Sequence, residues 1–184
     1  MRQRADTSLY GHRNAPQSLR RRARLCASCL AAAAQPAGTP DGPGWTVFAD
    51  GYGTVVDFPA NIFPVAEGEP PIGNGRRFRT ADGRADASIY TLPNEERQTP
   101  RGYLSRHLKS DFKNLDYDRV SDRFFAVSGI VRGKTFYSRC NFAGPRGVMH
   151  CLYLDYPAAE TRAWDGVVTR MSRSLRAAST SAAR

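Results

Sequence analysis

Residues 45–92 consist of short apolar runs separated by turns rich in glycine, proline, aspartate and asparagine. Alternation of apolar and polar side chains over such short runs is typical of half-buried β-strands. Gly53 and Gly83 lie in the turns, where glycine tolerates the positive φ that tight hairpins require. The pattern predicts two β-hairpins, formed by residues 45–49 with 54–58 and by residues 76–80 with 85–92. The stretch 66–74 between them, rich in Pro, Gly and Glu, is predicted to be an exposed loop.

A second block of apolar runs predicts an antiparallel meander over residues 124–130, 135–142 and 148–155. If Pro145 and Arg146 form a two-residue turn before the last run, Cys140 faces Cys151. Directly opposed residues on antiparallel strands have Cα atoms about 4.5 to 5.5 Å apart, which is within the reach of a disulfide. The register therefore predicts a Cys140–Cys151 disulfide, and two buried free thiols are the alternative.

Two segments carry apolar residues at helical spacing instead. Thr99 is suited to the N-cap of the first helix, and Pro100 to its first position, where the missing N–H has no intrahelical partner. The apolar stripe of this helix is Tyr103, Leu104, Leu108, Phe112 and Leu115. The second helix follows Pro157 and has the stripe Trp164, Val167, Val168, Met171 and Leu175. Together the elements predict the α+β class, an antiparallel sheet packed by two helices.

The N-terminal residues have a different character. An arginine cluster at residues 20–24 is followed by an apolar run at residues 25–34 that ends in small side chains. This order is typical of a secretory signal peptide, and the run is shorter than the roughly 20 apolar residues that a membrane-spanning helix needs. We therefore expect export by the general or the twin-arginine route, cleavage near Ala34, and no stable membrane insertion afterwards. The long stretch before the arginines also allows a start codon downstream of Met1. The alternative is an alanine-rich helix of a cytosolic protein.

Length and charge complete the predicted organisation. The 184 residues suffice for one domain, so residues 1–40 are assigned to the leader and linker, 41–176 to a single domain, and 177–184 to a flexible tail. The first forty residues hold seven arginines against one acid, whereas the remainder holds 20 basic and 16 acidic residues. Charges of both signs are interspersed in the domain, which argues against nucleic-acid binding. A cytosolic nucleic-acid binder remains an alternative only if the leader arginines stay on the mature chain.

The residues that could carry out chemistry form no recognisable catalytic motif. Cys26 and Cys29 have the spacing of a redox or metal motif, but they lie inside the apolar run of the leader and are assigned no chemistry. His107 borders the stripe of the first helix, and His150 lies beside Cys151 on a strand. Neither histidine belongs to a sequence motif that supplies a nucleophile and a carboxylate. We predict no catalytic residue, no cofactor and no metal site.

Two charged clusters lie outside the apolar pattern. Three aspartates, Asp116, Asp118 and Asp122, are interpreted as solvated loop carboxylates and not as ligands of a hard cation. Four arginines fall on or beside the second hairpin: Arg76, Arg77, Arg79 and Arg84. They form a candidate basic face for an anionic envelope polymer, and a solvated strand edge is the alternative.

Both ends of the domain resemble PsbP-like domains. The first hairpin, Trp-Thr-Val-Phe-Ala-Asp-Gly-Tyr-Gly-Thr-Val-Val-Asp-Phe-Pro from Trp45, resembles their aromatic-rich opening hairpin. The last strand, Cys-Leu-Tyr-Leu-Asp-Tyr-Pro from Cys151, and the helix containing Trp164 resemble their final hairpin and closing helix. The chain is also similar to a group of exported alphaproteobacterial proteins. The resemblance implies an α/β/α sandwich that acts as a non-catalytic binding or assembly module, and it transfers no functional residue.

The function expected from these observations is that of an exported, non-enzymatic module in the periplasm or outside the cell. It would bind a protein or an anionic envelope component through a sheet edge or through the loop at residues 66–74. The first alternative is an envelope hydrolase that uses His150 or His107. A pocket that holds both a histidine and a nucleophile would favour this alternative.

Overall fold

The computed structural model describes residues 44–108, 115–143 and 147–178. The strands are β1 (Trp45–Ala49), β2 (Thr54–Pro59), β3 (Val65–Gly68), β4 (Asn74–Arg79), β5 (Asp86–Pro93), β6 (Leu115–Val120), β7 (Phe124–Val131), β8 (Lys134–Phe142), β9 (Val148–Pro157) and β10 (Arg176–Ala177). The helices are α1 (Pro100–Tyr103), which continues as a π-helical turn over Leu104–Leu108, and α2 (Thr161–Ser174), which follows a 3₁₀ turn at Ala158–Glu160. The predicted leader, residues 1–40, lies outside the described residues.

Seven antiparallel strands form the main sheet, in the order β3-β4-β5-β9-β8-β7-β6. A smaller sheet has the order β1-β2-β10. The small sheet and α2 pack on one face of the main sheet around Phe63, Leu152 and Trp164. The other face carries a second core around Phe125 and Phe136, which α1 covers. The fold therefore has the α+β class that the hydrophobic pattern predicts.

The predicted hairpins, meander and second helix are confirmed. Cys140 lies opposite Cys151 in the β8–β9 ladder, as the register argument requires, with their Cα atoms 4.2 Å apart. Their sulfur atoms form a disulfide with an S–S distance of 2.00 Å. Both cysteines are buried in the second core. Among the described residues, no helix is long and apolar enough to cross a membrane.

The first helix is shorter than predicted. Thr99 caps it as expected, because its hydroxyl accepts a hydrogen bond from the Gly102 N–H at 3.1 Å. However, Leu115 is not part of the helical stripe; it begins β6, and Phe112 lies outside the described residues. Leu115 and Val120 pack against the second core from β6, where pairing with β7 satisfies the backbone of the strand. The prediction of a helix as far as Leu115 was therefore wrong.

The predicted loop 66–74 is also partly wrong, because Val65–Gly68 forms β3 and Asn74 already belongs to β4. The β3–β4 register shifts between Ala66 and Gly68, and Gly68 has a φ of 96°, which favours glycine. A bulge of this kind interrupts the alternation on which strand prediction depends. At the other end of the chain, Ala177, the first residue of the predicted tail, pairs with β2.

Candidate anion-binding surface

Strands β6, β7 and β8 bring distant residues together beside α2. Arg119 of β6 lies opposite Ala126 of β7, and Ala126 lies opposite Arg139 of β8. Directly opposed residues of antiparallel strands share a face, so both arginines project on the same side of the sheet, two strands or about 10 Å apart. Tyr117 and Tyr137 occupy the neighbouring row, one on each side of Ser128. We call this set, together with Phe124, the arginine surface: Tyr117, Arg119, Phe124, Tyr137 and Arg139.

The ring of Phe124 is the aromatic centre of the arginine surface. The guanidinium carbon of Arg139 lies 4.4 Å from the centroid of this ring, and that of Arg119 lies 5.8 Å from it. Both distances are within the range of a cation–π interaction. Ala126, which lies between the arginines in the ladder, is only 2% exposed, so neighbouring side chains cover it. Both cations therefore lie against the same aromatic ring.

Hydrogen bonds fix the orientation of Arg139. Its Nε donates to Oδ1 of Asn141 at 2.9 Å, and its Nη1 donates to the hydroxyl of Ser172 in α2 at 3.0 Å. Asn141 is itself held by its Nδ2, which donates to the Leu175 carbonyl at 2.7 Å. Ser172 also contacts the Tyr137 hydroxyl at 2.7 Å. Burial raises the pKa of Tyr137, so its phenol is protonated at neutral pH. All these partners are uncharged.

Among residues 44–108, 115–143 and 147–178, the positive charges of the arginine surface have no carboxylate partner. Within the ranges that the structure describes, no ion pair includes Arg119 or Arg139. Asp118 is adjacent to Arg119 in sequence, but successive strand residues project to opposite faces. A half-buried charge is unfavourable unless an opposite charge and hydrogen bonds compensate it. A planar guanidinium that is already oriented is suited to a carboxylate or a phosphate.

The basic face predicted on the second hairpin differs in this respect. Arg77 and Arg79 both bind Oδ1 of the buried Asp86, at 2.7 and 3.0 Å. Arg84 forms ion pairs with Asp82 and Glu160. Three of the four predicted arginines are therefore already paired within the domain. Their charges are compensated, whereas no described carboxylate pairs with Arg119 or Arg139.

A groove of about 650 Å³ lies between α2 and β2. Arg170 lines it, but its Nε lies 3.2 Å from Oδ2 of Asp57 and its guanidinium stacks at 4.3 Å on the Trp45 ring. The charge of Arg170 is thus compensated. The arginine surface is the stronger candidate for binding an anion.

His150 belongs to a buried chain of hydrogen bonds on the same sheet face. Its Nδ1 lies 2.9 Å from the Thr54 hydroxyl, which lies 2.6 Å from the Thr91 hydroxyl. Thr91 donates to Oδ2 of Asp50 at 2.8 Å. Oδ1 of Asp50 accepts hydrogen bonds from the backbone N–H groups of Tyr52 and Thr54. The chain joins the β1–β2 hairpin to the main sheet.

The number of protons that each group can donate fixes which group donates in each of these hydrogen bonds. An ionised carboxylate only accepts, so the single hydroxyl proton of Thr91 is directed to Asp50. Thr91 must then accept from Thr54, and Thr54 must accept from Nδ1 of His150. His150 therefore carries its proton on Nδ1. Burial lowers the pKa of His150, although the negative charge of Asp50 opposes this shift, so the ring is neutral at neutral pH.

This arrangement brings a histidine and a hydroxyl together but does not present a nucleophile to a substrate. Thr54 is 0% exposed and His150 is 4% exposed. The Cys151 thiol beside His150 is consumed in the disulfide. His107 is exposed, and its ring lies tilted against that of Tyr103, with ring centroids 4.6 Å apart. The geometry of both histidines fits a structural role.

The three predicted loop aspartates are only partly in a loop. Asp116 and Asp118 lie on the edge strand β6, and Asp122 lies in the turn that follows it. All three are exposed. The assignment of Asp116 and Asp118 to a loop was therefore wrong, because β6 continues through them. In the part of the chain that the structure describes, no three His, Cys, Asp or Glu side chains cluster as metal ligands would.

Comparison with solved structures identifies the fold. The solution structure of cyanobacterial PsbP (CyanoP) from Synechocystis sp. PCC 6803 matches with a TM-score of 0.52 and 14% identity, over 77% of this chain and 97% of that chain. The structure of the Ran-binding protein Mog1p of Saccharomyces cerevisiae matches with a TM-score of 0.51 and 8% identity, over 72% of this chain and 96% of that chain. No protein-family model and no curated protein sequence matches the chain. The fold is PsbP-like, as the resemblance of the two ends of the domain implied.

Proposed function

We propose that this chain is an exported, non-enzymatic module of the bacterial cell envelope that binds an anionic group on the arginine surface. The observation that carries the proposal is the half-buried Arg139, which uncharged partners hold in place and no carboxylate of the described residues neutralises. A binding role is also in keeping with one fold neighbour, which is itself a Ran-binding protein. The anion is a carboxylate or phosphate of a protein or of another envelope component.

The proposed compartment rests on the disulfide and on the leader-like N-terminal sequence. Disulfides persist in oxidising compartments such as the periplasm and are rare in the cytosol. The mass of the intact protein from the envelope fraction of its host, measured after alkylation without reductant, tests this part of the proposal. We expect a chain that begins near Gln35 and carries no alkyl group. A full-length cytosolic product with alkylated Cys140 and Cys151 would contradict export.

An NMR titration of the protein with hexaglutamate tests the binding surface. We expect chemical-shift changes concentrated at Phe124, Arg139 and Ser172, because the acidic peptide should bind where the positive charge is uncompensated. Arg139→Gln should weaken binding about three- to tenfold, as expected for loss of a charge-assisted hydrogen bond at a half-exposed site.

The matched control is Arg162→Gln, which removes one positive charge from an exposed position on α2. It should change the affinity less than about twofold, since exposed and screened charges contribute little. Equal losses in the two variants would mean that hexaglutamate senses only the net charge. That result would refute the proposed surface.

A further inference from the structure

The arginine surface continues to an edge strand of the main sheet. β6 is the last strand of the main sheet, and no described strand pairs with its outer side. Its four central side chains are exposed: Asp116, Tyr117, Asp118 and Arg119. The large side chain of Tyr117 is 45% exposed although it lies on a strand. An edge strand of this kind presents unpaired backbone N–H and C=O groups that an extended peptide can use.

The two faces of β6 carry opposite charges. Arg119 and Tyr117 lie on the face of the arginine surface, opposite Ala126 and Ser128 of β7. Asp118 projects to the other face, opposite Val127. A strand added beside β6 would place successive side chains on alternate faces. Electrostatic complementarity then requires an acidic residue beside Arg119 and a basic residue beside Asp118.

We propose that Arg119 of the arginine surface binds a side-chain carboxylate of a partner protein, delivered by an extended segment that adds antiparallel to β6. This inference rests on the proposed function and specifies its ligand. In an antiparallel strand, the residue beside Arg119 precedes the residue beside Asp118. The segment therefore contains an acidic residue followed directly by a basic one.

A second copy of this chain cannot place an acidic residue beside Arg119 and a basic residue beside Asp118. Antiparallel pairing of two β6 strands keeps each face on its own side of the joined sheet. Asp118 would then lie on the same side as Asp118 of the other copy, and Arg119 on the same side as the other Arg119. Like charges in neighbouring cross-strand positions are destabilising. The charge pattern of β6 therefore favours a different protein as the partner.

The order of charges in the peptide provides the test. Two ten-residue peptides, acetylated and amidated, have Glu-Lys or Lys-Glu at the centre and alternating Thr and Gln on both sides. They have the same composition and net charge. We expect the full chain to bind the Glu-Lys peptide about three- to tenfold more tightly, with slowed amide hydrogen exchange at residues 115–120.

The double variant Asp118→Lys/Arg119→Glu exchanges the charges of the two faces and leaves the net charge unchanged. We expect it to prefer the Lys-Glu peptide by a similar factor. Equal affinity for both peptides in both proteins, or protection elsewhere than β6, would overturn the inference. If hexaglutamate still binds at Arg139 in that case, only the edge-strand mode fails and the anion-binding function stands. If the peptide preference and the binding of hexaglutamate at Arg139 are both absent, the proposed anion-binding function is refuted as well.

Discussion

At the scale of single residues, His150 is a buried titratable group whose ring nitrogen lies 2.9 Å from the Thr54 hydroxyl. The sequence left His150 as a candidate only for the alternative function, an envelope hydrolase, and its partner in the fold is Thr54, 96 residues away. No local motif signals a contact of that separation. A strand pattern predicts which side chains share a face only when the pairing of the strands is known. The threonines that complete the chain have no distinguishing feature in the sequence.

The pH dependence of stability tests whether His150 is a buried, neutral histidine in the folded chain. The pKa of His150 lies below its ordinary value of 6.5 because burial disfavours the charged ring. The unfolded chain therefore binds a proton more readily than the folded one below about pH 6.5, so the free energy of unfolding falls as the pH falls, by at most about 1.4 kcal/mol per pH unit. Urea unfolding at pH 7.5 and 5.5 should show this loss.

His150→Asn should remove this part of the pH dependence, because the asparagine amide can still donate to Thr54 without taking up a proton. The exposed His107 supplies the control, and His107→Asn should leave the dependence unchanged. If the free energy of unfolding of the His150 variant fell with pH as steeply as that of the unaltered protein, another group would cause the pH dependence.

Arg119 and Arg139 illustrate what the sequence could not reveal at this scale. They are 20 positions apart, and their proximity depends on β6 being a strand and on the registers of two ladders. The helical stripe proposed as far as Leu115 placed the start of β6 in the wrong kind of element. In contrast, the four arginines of the second hairpin are obvious in the sequence, and three of them are paired in the fold. A local density of basic residues is a poor guide because it does not show where the acids fold.

At the scale of elements, the central strands were predictable and the edge strands were not. β7, β8 and β9 have clear alternation and strong turn residues, so even the Cys140–Cys151 register followed from the sequence. β3 and β6 lie at the two ends of the main sheet, and both have a register shift against their neighbours. An edge strand buries less apolar surface and tolerates bulges, so its sequence alternates weakly. The proposed peptide-binding edge is thus one of the elements that pattern analysis misses.

The disulfide between β8 and β9 allows a prediction for these elements. The double variant Cys140→Ala/Cys151→Ala should lower the free energy of unfolding by about 2 to 4 kcal/mol, because the unfolded chain is no longer cross-linked. Urea unfolding of the oxidised protein, the reduced protein and the variant measures this. The reduced protein and the variant should agree closely. A variant as stable as the oxidised protein would mean that the ladder alone holds these strands.

At the scale of the whole molecule, the fold class and the PsbP-like architecture followed from hydrophobic periodicity and from the two ends of the domain. The proposed function did not, because it depends on an uncompensated charge. Whether a charge is compensated depends on where the surrounding acids lie in the fold, which the sequence pattern does not show. The proposed role of the chain accordingly rests on Arg119 and Arg139 together and not on any motif.

The most direct test compares two double variants of equal net charge. One is Arg119→Gln/Arg139→Gln on the arginine surface, and the other is Arg101→Gln/Arg162→Gln at exposed helix positions. Near-ultraviolet circular dichroism should first show that both variants retain the fold. If the variant on the arginine surface does not, the single variant Arg119→Gln replaces it in the comparison. Calorimetric titration with hexaglutamate at physiological ionic strength then gives the affinities. The account predicts at least a tenfold loss for the first variant and less than a twofold loss for the second. Equal losses, or none in either, would contradict the claim that this surface binds the anion.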